Sequence, residues 1–448
     1  MLLKEKKENF STKSIFKDTF VSAIPQIVAI VTGILTSVLL ARGLGPKGLG
    51  EYTLILSIAT LVPALSDLGI NQSAVRFASQ AAAENNTEAR NSVLRWAFRI
   101  RMFLLIAITI ILFFISPYIC SNIWHIPKLT HILQLSLLIG IFTTLSAIPT
   151  VYFQSLKKFK TNAIVLTLQT ILSSGGIVLI ALLNKWSLYY VILSSIIATL
   201  VSSIFFFHIV PKSIFFEKKE MKNFFKSFFQ ISQDENIKQK FQKEIHSFTF
   251  YYVLSAIICT INTRVDIYIM GAFLNTESIG IYSVAQRVVL PLTLLLTAYQ
   301  TQLWPKLSST GTNSEYNISV LKQMKKSNLL IAGGFGLYSI VAPLFIPLLF
   351  GDIYRNCILI SQLLCFRYCI NILQLPINTI GYNYGLAKWY SKINFAQFLC
   401  FVTLNIVLIP KLGLWGILVS LYVQSIINII FITSSAVIKL FNLREKDI

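Results

Sequence analysis

The chain has 448 residues, of which 55% are hydrophobic and only 13% are charged. Soluble globular proteins carry roughly a quarter charged residues, so this composition excludes that class and predicts a membrane protein. The formal net charge of +21 would suggest nucleic-acid binding in a soluble protein, but the positions of the charges point to another explanation.

Continuous apolar stretches of about 18 to 26 residues are long enough to cross a hydrocarbon core about 30 Å thick. Twelve such stretches fit the sequence, so we predict an all-α membrane protein with 12 transmembrane helices. The predicted spans are residues 18–41, 51–69, 102–119, 131–154, 162–184, 187–210, 247–271, 279–304, 328–350, 358–380, 391–410 and 412–438.

The basic residues are distributed unevenly between the two sides of this predicted bundle. If both termini are cytoplasmic, 30 of the 39 Lys and Arg residues fall on the cytoplasmic side, six on the outer side and three within spans. This asymmetry follows the positive-inside rule, so we predict cytoplasmic termini. The excess charge then orients the protein in the membrane, and nucleic acid is not needed as a partner.

The longest polar connection, residues 211–246, divides the chain into two blocks of six spans. Its lysines and phenylalanines alternate at helical spacing, which is typical of an amphipathic helix in the headgroup layer; a regulatory partner site is the alternative. We therefore predict an N-terminal six-helix bundle in residues 1–210, a cytoplasmic linker in 211–246 and a C-terminal six-helix bundle in 247–448.

The two blocks show signs of internal duplication. At an offset of 230 residues, LGPKGLGEY (44–52) aligns with LNTESIGIY (274–282), and Gly50 matches Gly280. The tetrapeptide IVLI also recurs near the end of the fifth span of each block. These matches predict a parallel repeat around a pseudo-twofold axis, an arrangement suited to alternating access with the ligand near the midplane.

Two parts of the sequence carry a family resemblance. Residues 16–77, which begin FKDTFVSAIPQIVAI and end SDLGINQSAVRF, resemble the start of bacterial polysaccharide flippases, the oligosaccharide-lipid translocases of the multidrug/oligosaccharidyl-lipid/polysaccharide (MOP) exporter superfamily. VDIYIMGAFLNTESIGIYSVAQRV (265–288) and LNIVLIPKLGLWGILVSLYVQSI (404–426) resemble the C-terminal half of that family.

This resemblance implies a V-shaped bundle of two lobes in the bacterial cytoplasmic membrane. It also implies transport of undecaprenyl-diphosphate-linked oligosaccharide from the cytoplasmic to the outer leaflet, for the synthesis of a surface polysaccharide such as lipopolysaccharide or capsule. The implied partners are the lipid-linked oligosaccharide, membrane lipids, and a polymerase and other polysaccharide-assembly proteins. No cofactor is implied.

Five ionisable residues lie at membrane depth, where such groups normally face a cavity or one another: Asp67, Arg264, Asp266, Arg287 and Arg367. Counting about 1.5 Å per residue places Arg264 and Arg287 in the outer half of the C-terminal lobe and Arg367 near the midplane. Asp266 is two residues from Arg264 and points to another face of the helix, so it is a poor direct partner. Three cations and one acid predict a net positive cavity.

Two spans of the second block carry a polar stripe at helical spacing. The stripe on the tenth span consists of Arg367, Asn371, Gln374 and Asn378. The stripe on the eighth span consists of Gln286, Thr293, Thr297 and Gln300. Amides and hydroxyls can solvate sugar hydroxyls, and arginines can hold phosphate oxygens through paired hydrogen bonds. We predict that these stripes and the three arginines bind substrate; the alternative for the amides is hydrogen bonding between helices.

In the first block, Asp67 and Arg76 lie about two and a half helical turns apart in the sequence DLGINQSAVRF. An ion pair through another helix, a gate and a coupling-ion carboxylate are the alternatives for Asp67, with gating or packing favoured. We group Asp67, Arg76 and Asp266 as candidate gating or coupling residues.

Two other function classes compete with a flippase. A cation-coupled multidrug exporter of the same superfamily would want a buried carboxylate in its first helix, whereas Val21–Ala41 contains no acid. A membrane enzyme would need a sizeable loop with clustered catalytic groups, and the predicted outer loops have only about 2 to 12 residues. Six cysteines without CxxC spacing and only four histidines predict no disulfide framework and no metal site.

Overall fold

The computed structural model describes residues 12–156, 158–211, 262–308 and 314–444, and the long elements in these ranges are α-helices. In chain order they are α1 (Thr12–Ala59), α2 (Leu61–Asp67), α3 (Ile70–Ala83), α4 (Thr87–Tyr118), α5 (Thr130–Ser155), α6 (Phe159–Leu182), α7 (Leu188–Ile209), α8 (Val265–Phe273), α9 (Thr276–Ser308), α10 (Ser314–Phe350), α11 (Cys357–Asn383), α12 (Ala387–Leu412), α13 (Leu414–Ile427) and α14 (Ser434–Arg444). Short π-helices (Ile119–Ile123 and Asn428–Thr433) and 3₁₀-helices (Pro127–Leu129 and Asp352–Tyr354) join some of them.

Nine helical segments in the described ranges are long and apolar enough to cross a membrane. The first, Ile24–Ala82, has 59 residues and covers the first two predicted spans. The predicted span 247–271 lies mostly outside the described residues, and the span 279–304 falls on α9, which is not among the nine. The all-α membrane class is confirmed, while the number twelve stays a prediction.

Positive backbone φ angles interrupt the helical run at the start of the chain. Gly45 in α1 has φ 66° and ψ 177°, which only glycine adopts without strain, so α1 consists of two helices that meet at a kink. Leu68 (φ 40°) and Gly69 (φ 80°) then separate α2 from α3. The connection predicted after residue 69 is therefore helical, because α3 begins directly after this break.

The described residues form two compact units. The first contains the described residues before Leu40 and those from Ile55 to residue 211. The second contains Leu40–Leu54 together with the described residues from Asn262 onward. The segment Leu40–Leu54 thus packs with the second half of the chain, although the sequence suggested that it belonged to the first bundle.

In the first unit, α5 packs against α3, α4, α6 and α7. Its hydrophobic core includes Phe77 and Trp96, both 1% exposed, with small alanines of α3 between the larger side chains. At the start of α4, the side chain of Asn86 accepts a hydrogen bond from the backbone N–H of Ala89 at 2.9 Å and caps the helix.

In the second unit, α11 packs against α9, α10 and α13. The segment Leu40–Leu54 is tied to this unit by polar contacts with the end of α10. The guanidinium of Arg42 donates to the backbone carbonyl of Leu349 at 2.7 Å and to that of Leu348 at 2.5 Å, where a cation also interacts favourably with the helix dipole. The hydroxyl of Tyr354 donates to the carbonyl of Ala41 at 2.9 Å.

Two glycines mark a close backbone crossing within the second unit. A Cβ on Gly50 would overlap the carbonyl oxygen of Thr276, and a Cβ on Gly280 would overlap that of Pro46. The offset of 230 residues that relates Gly50 to Gly280 also relates Pro46 to Thr276. Each contact is therefore the counterpart of the other, which is the pattern produced by a local twofold relation between two repeated segments.

Candidate functional site

A cavity of about 360 Å³ lies inside the second unit. Its polar lining comes from the start of α8, from α9, α11 and α13, and from the residues just before α8. The residues that line it are Asn262, Thr263, Asp266, Tyr282, Gln286, Val289, Leu290, Thr293, Leu364, Arg367, Tyr368, Phe401, Leu421 and Gln424.

Counted from the first residue of each helix, the polar lining lies near the middle of a membrane span. Gln286, Arg367 and Gln424 each follow the first residue of their helix by ten positions, which corresponds to roughly 15 Å of helical rise. That is half of a hydrocarbon core about 30 Å thick. Polar side chains at this depth are expensive unless they face water, a ligand or one another, so the cavity is the leading candidate for a functional site.

Asp266, in the first turn of α8, is 7% exposed and accepts three hydrogen bonds. Its Oδ1 accepts from the backbone N–H of Ile267 at 2.9 Å. Its Oδ2 accepts from the hydroxyl of Tyr282 at 2.9 Å and from the side-chain amide of Gln286 at 3.1 Å. Both carboxylate oxygens are thus engaged by protein donors, and the group joins α8 to α9.

We expect Asp266→Ala to lower the free energy of unfolding by about 3 kcal/mol, because it leaves buried donors of Ile267, Tyr282 and Gln286 without an acceptor. Thermal unfolding of the purified protein in detergent would measure the effect. The matched control is Asp352→Asn, since the side chain of Asp352 is 75% exposed and pairs with Arg355 at 2.9 Å. That change should cost less than about 1 kcal/mol. Equal shifts for the two variants would show that the Asp266 bonds contribute little.

Arg367 of α11 lines the same cavity and is held by uncharged partners. Its Nε donates to the hydroxyl of Ser425 at 3.3 Å, and its Nη2 donates to the side-chain carbonyl of Gln424 at 3.1 Å. Among the described residues it forms no ion pair. A guanidinium has five N–H donors, so three remain available to a ligand in the cavity.

The other two predicted arginines do not line this cavity. Arg264 is exposed and directly precedes α8. It lies within electrostatic range of Asp266 and of Arg287. Arg287 of α9 lies within electrostatic range of Tyr52 and Tyr354. Arg367 is therefore the arginine that faces the cavity.

In the predicted stripe on α11, Arg367 lines the cavity, whereas Asn378 contributes to helix packing. Asn378 donates to the side chain of Asn428 at 3.0 Å and accepts from the hydroxyl of Thr433 at 2.8 Å. Asn378 thus bonds to both ends of the π-helix between α13 and α14. This is hydrogen bonding between helices, the alternative that the sequence left open for the amides. Gln374 is 7% exposed and Asn371 is half-buried, and neither lines the cavity.

The predicted stripe on α9 reaches the cavity through Gln286 and Thr293. The side chains of Thr297 and Gln300 lie outside the described part of the structure. Asp266 and Arg367 are positioned by three residues that were not predicted from the sequence, Tyr282, Gln424 and Ser425. Gln424 could have been noticed as one of two amides in the predicted span 412–438.

In the first unit, Asp67 contacts the helix that follows it. Its Oδ1 accepts from the backbone N–H of Asn71 at 3.0 Å, across the break between α2 and α3. The side-chain oxygen of Asn71 accepts from Arg101 of α4 at 2.7 Å, and Arg101 interacts electrostatically with Asp67. Arg101 is 2% exposed, although the predicted spans place it in a cytoplasmic connection. Arg76 is exposed and lies over the ring of its neighbour Phe77.

The described residues contain no group of three or more His, Cys, Asp or Glu that could hold a metal ion. Cys365 is buried, and the thiol of Cys369 donates to the carbonyl of Ala332 at 3.5 Å. These two cysteines act as packing residues in α11.

Comparison with known proteins gives a consistent picture. The sequence model of the family described as polysaccharide biosynthesis protein matches residues 15–310. The curated protein "Putative O-antigen transporter" of Shigella flexneri is 23% identical over 415 residues, which is 91% of this chain and 93% of the relative.

Two solved structures share the fold. One is a multidrug resistance MATE family transporter of the MOP superfamily in an inward-facing conformation. It superposes with a TM-score of 0.69 at 11% sequence identity, and the match covers 95% of this chain and 99% of the transporter. The other is the lipid II flippase MurJ. It superposes with a TM-score of 0.68 at 18% sequence identity, and the match covers 96% of this chain and 93% of MurJ.

Proposed function

The chain belongs to the family of polysaccharide biosynthesis proteins, and on that premise we propose that it is a flippase for a polyprenyl-diphosphate-linked oligosaccharide. It is an integral membrane transporter rather than an enzyme. The proposed direction of transport is from the cytoplasmic to the outer leaflet of a bacterial cytoplasmic membrane, with both termini in the cytoplasm. A polysaccharide polymerase and other assembly proteins are proposed partners.

The observation that carries this proposal is the environment of Arg367. Its guanidinium lies at mid-membrane depth in a cavity, is oriented by Gln424 and Ser425, and has no acidic partner among the described residues. A cation in this position is costly without a counterion, and a diphosphate headgroup would supply one. The nearby Asp266 already accepts three hydrogen bonds from the protein, so Arg367 carries the charge that is available to a ligand.

The remaining polar lining suits the sugars of such a substrate. Gln286, Thr293 and Gln424 present amide and hydroxyl groups to the same cavity as Arg367. These groups can both donate and accept hydrogen bonds, as sugar hydroxyls do. We propose that the headgroup enters the cavity while the polyprenyl tail stays in lipid. Arg264 and Arg287 would add positive potential nearby, and Asn371, Gln374 and Asn378 would hold α11 in place.

The membrane potential can supply the driving force. Moving two negative charges outward across about 100 mV, inside negative, is favourable by roughly 4 to 5 kcal/mol. An ion-coupling site is therefore not required, and Asp67 and Asp266 are better explained by the hydrogen bonds that they make.

A cation-coupled multidrug exporter is the second candidate, because the fold is shared with a multidrug resistance MATE family transporter at a TM-score of 0.69. A cavity for cationic drugs would need available negative charge. The lining here has one carboxylate, Asp266, whose two oxygens are occupied by protein donors. It also has the cation Arg367, which forms no ion pair with a described residue.

Transport by purified full-length protein in liposomes would test the proposal. The substrate is a polyprenyl-diphosphate oligosaccharide with a fluorescent terminal sugar, and a membrane-impermeant quencher reports its arrival in the outer leaflet. We expect protein-dependent flipping that accelerates when an inside-negative potential is imposed. Absence of flipping, combined with cation-gradient-dependent movement of a cationic dye by the same vesicles, would refute the flippase proposal in favour of the exporter.

A further inference from the structure

A second concavity, which we call the lysine groove, lies in the second unit away from the proposed transport site. It has a volume of about 370 Å³ and lies between the first half of α10, the second half of α11 and helix α14. The sequence places these helix ends on the cytoplasmic side. None of its lining residues lines the cavity that contains Arg367.

The walls of the lysine groove are mainly apolar and are left uncovered by the described protein. Leu329 of α10 is 54% exposed and Leu373 of α11 is 44% exposed, although both lie within segments that can cross a membrane. Leu440, which lines the groove, belongs to a buried hydrophobic cluster with Ile380 and Tyr384. Because Leu329 and Leu373 are exposed within segments that can cross a membrane, the open side of the groove would face the acyl chains of the bilayer.

One rim of the groove is basic. Ile318, Lys322, Lys325 and Leu329 follow one another at i, i+4, i+7 and i+11, so they share one face of α10. Both lysines are exposed, and neither forms an ion pair with a described residue. They precede Leu329 by roughly 6 to 10 Å along the helix axis, which separates a charged end of the groove from an apolar end.

The lining of the groove contains these two lysines and no acidic residue. The acid Asp352 follows the far end of α10 and pairs with Arg355. The lining of the groove therefore combines apolar side chains with a basic rim.

We propose that the lysine groove binds one anionic glycerophospholipid of the cytoplasmic leaflet. An acyl chain lies along Leu329, Leu373 and Ile377, and the phosphate binds Lys322 and Lys325. Anionic lipids concentrate in that leaflet, and each nearby lysine attracts them. The lateral opening and the separation of charged and apolar ends suit a phospholipid better than a peptide, because buried peptide groups would lack hydrogen-bond partners in the hydrocarbon.

Native mass spectrometry of the purified full-length protein would test this, with phosphatidylglycerol and phosphatidylcholine of identical acyl chains as probes. We expect phosphatidylglycerol to be retained about tenfold more strongly. The double variant K322Q/K325Q should lose this selectivity. The matched control is K388Q/K392Q, which removes two exposed lysines at the start of α12 that do not line the groove. It should keep the selectivity.

A second variant tests the apolar part. Ile377→Trp places a large ring in the groove and should reduce retention of both lipids, with unfolding temperature as the check that the protein is folded. Equal retention of the two lipids by the unmodified protein would overturn the proposal. So would unchanged selectivity in K322Q/K325Q, or displacement of the lipid by inorganic phosphate alone.

Discussion

Arg367→Ala is expected to reduce the rate of lipid-linked oligosaccharide flipping by about 10- to 100-fold. Charge-assisted hydrogen bonds contribute roughly 1.5 to 3 kcal/mol each, and every 1.4 kcal/mol corresponds to a factor of ten. The alanine variant removes the cation of the cavity and leaves only neutral partners, Gln424 and Ser425, behind. The measurement is the initial rate in the liposome assay, at substrate concentrations well below saturation.

Arg367→Lys should fall between the wild type and the alanine variant. Lysine keeps the charge, which still attracts a diphosphate, but it lacks the planar fork that binds two phosphate oxygens at once. It also loses the geometry that lets one side chain contact Gln424, Ser425 and a ligand together. A variant with lysine that is as inactive as the one with alanine would favour a purely geometric role for Arg367.

The control for Arg367 is Arg355→Ala, which removes an arginine whose side chain is 69% exposed. It should transport at the wild-type rate. Arg367→Ala and Arg355→Ala should both unfold near the wild-type temperature. Arg367 has no acidic partner among the described residues, so its removal leaves no described carboxylate without a counterion. Wild-type flipping by Arg367→Ala would contradict the proposed substrate site.

Gly50→Ala and Gly280→Ala are each expected to lower the free energy of unfolding by about 3 kcal/mol and to abolish transport. At both positions a Cβ would overlap a backbone carbonyl oxygen, that of Thr276 or of Pro46, and a backbone group cannot rotate away as a side chain can. Overpacking of this kind costs typically 1 to 3 kcal/mol and occasionally more. Because the two glycines share one crossing, their effects should not add in the double variant.

Thermal unfolding in detergent and the flipping assay would both report the glycine effects. Gly334→Ala in α10 is the matched control, since nothing lies within 4 Å of the position that its Cβ would take. Alanine is also the better helix former, so this variant should be as stable as the wild type or more so. If Gly50→Ala behaved like Gly334→Ala, the close crossing of the two repeated segments would be contradicted.

Much of the helical architecture could be predicted because a bilayer imposes a length on every spanning apolar stretch. The predicted span 187–210 corresponds to α7 (Leu188–Ile209), and 131–154 corresponds to α5 (Thr130–Ser155). Helix ends outside the hydrocarbon are not set by that rule. Helix α4 consequently starts at Thr87, well before the predicted residue 102.

The candidate site was predictable in part. Arg367, Asp266 and Gln286 could be singled out because ionisable and amide groups are rare in apolar spans. Their partners could not, since Tyr282 and Gln424 approach them only through the packing of separate helices. The same limit applies to Arg101, whose contact with Asn71 spans 30 residues of sequence.

By itself, the sequence determined the membrane class, the positions of most helices and the small set of polar groups from which a site could be built. These features follow from local hydropathy and helical periodicity, which act within a few turns. Only the tertiary structure decided that Leu40–Leu54 packs with the second unit and that Arg367, but not Arg264 or Arg287, faces the cavity. Such choices depend on the close packing of helices far apart in the chain, and periodicity within one helix carries no information about its partner.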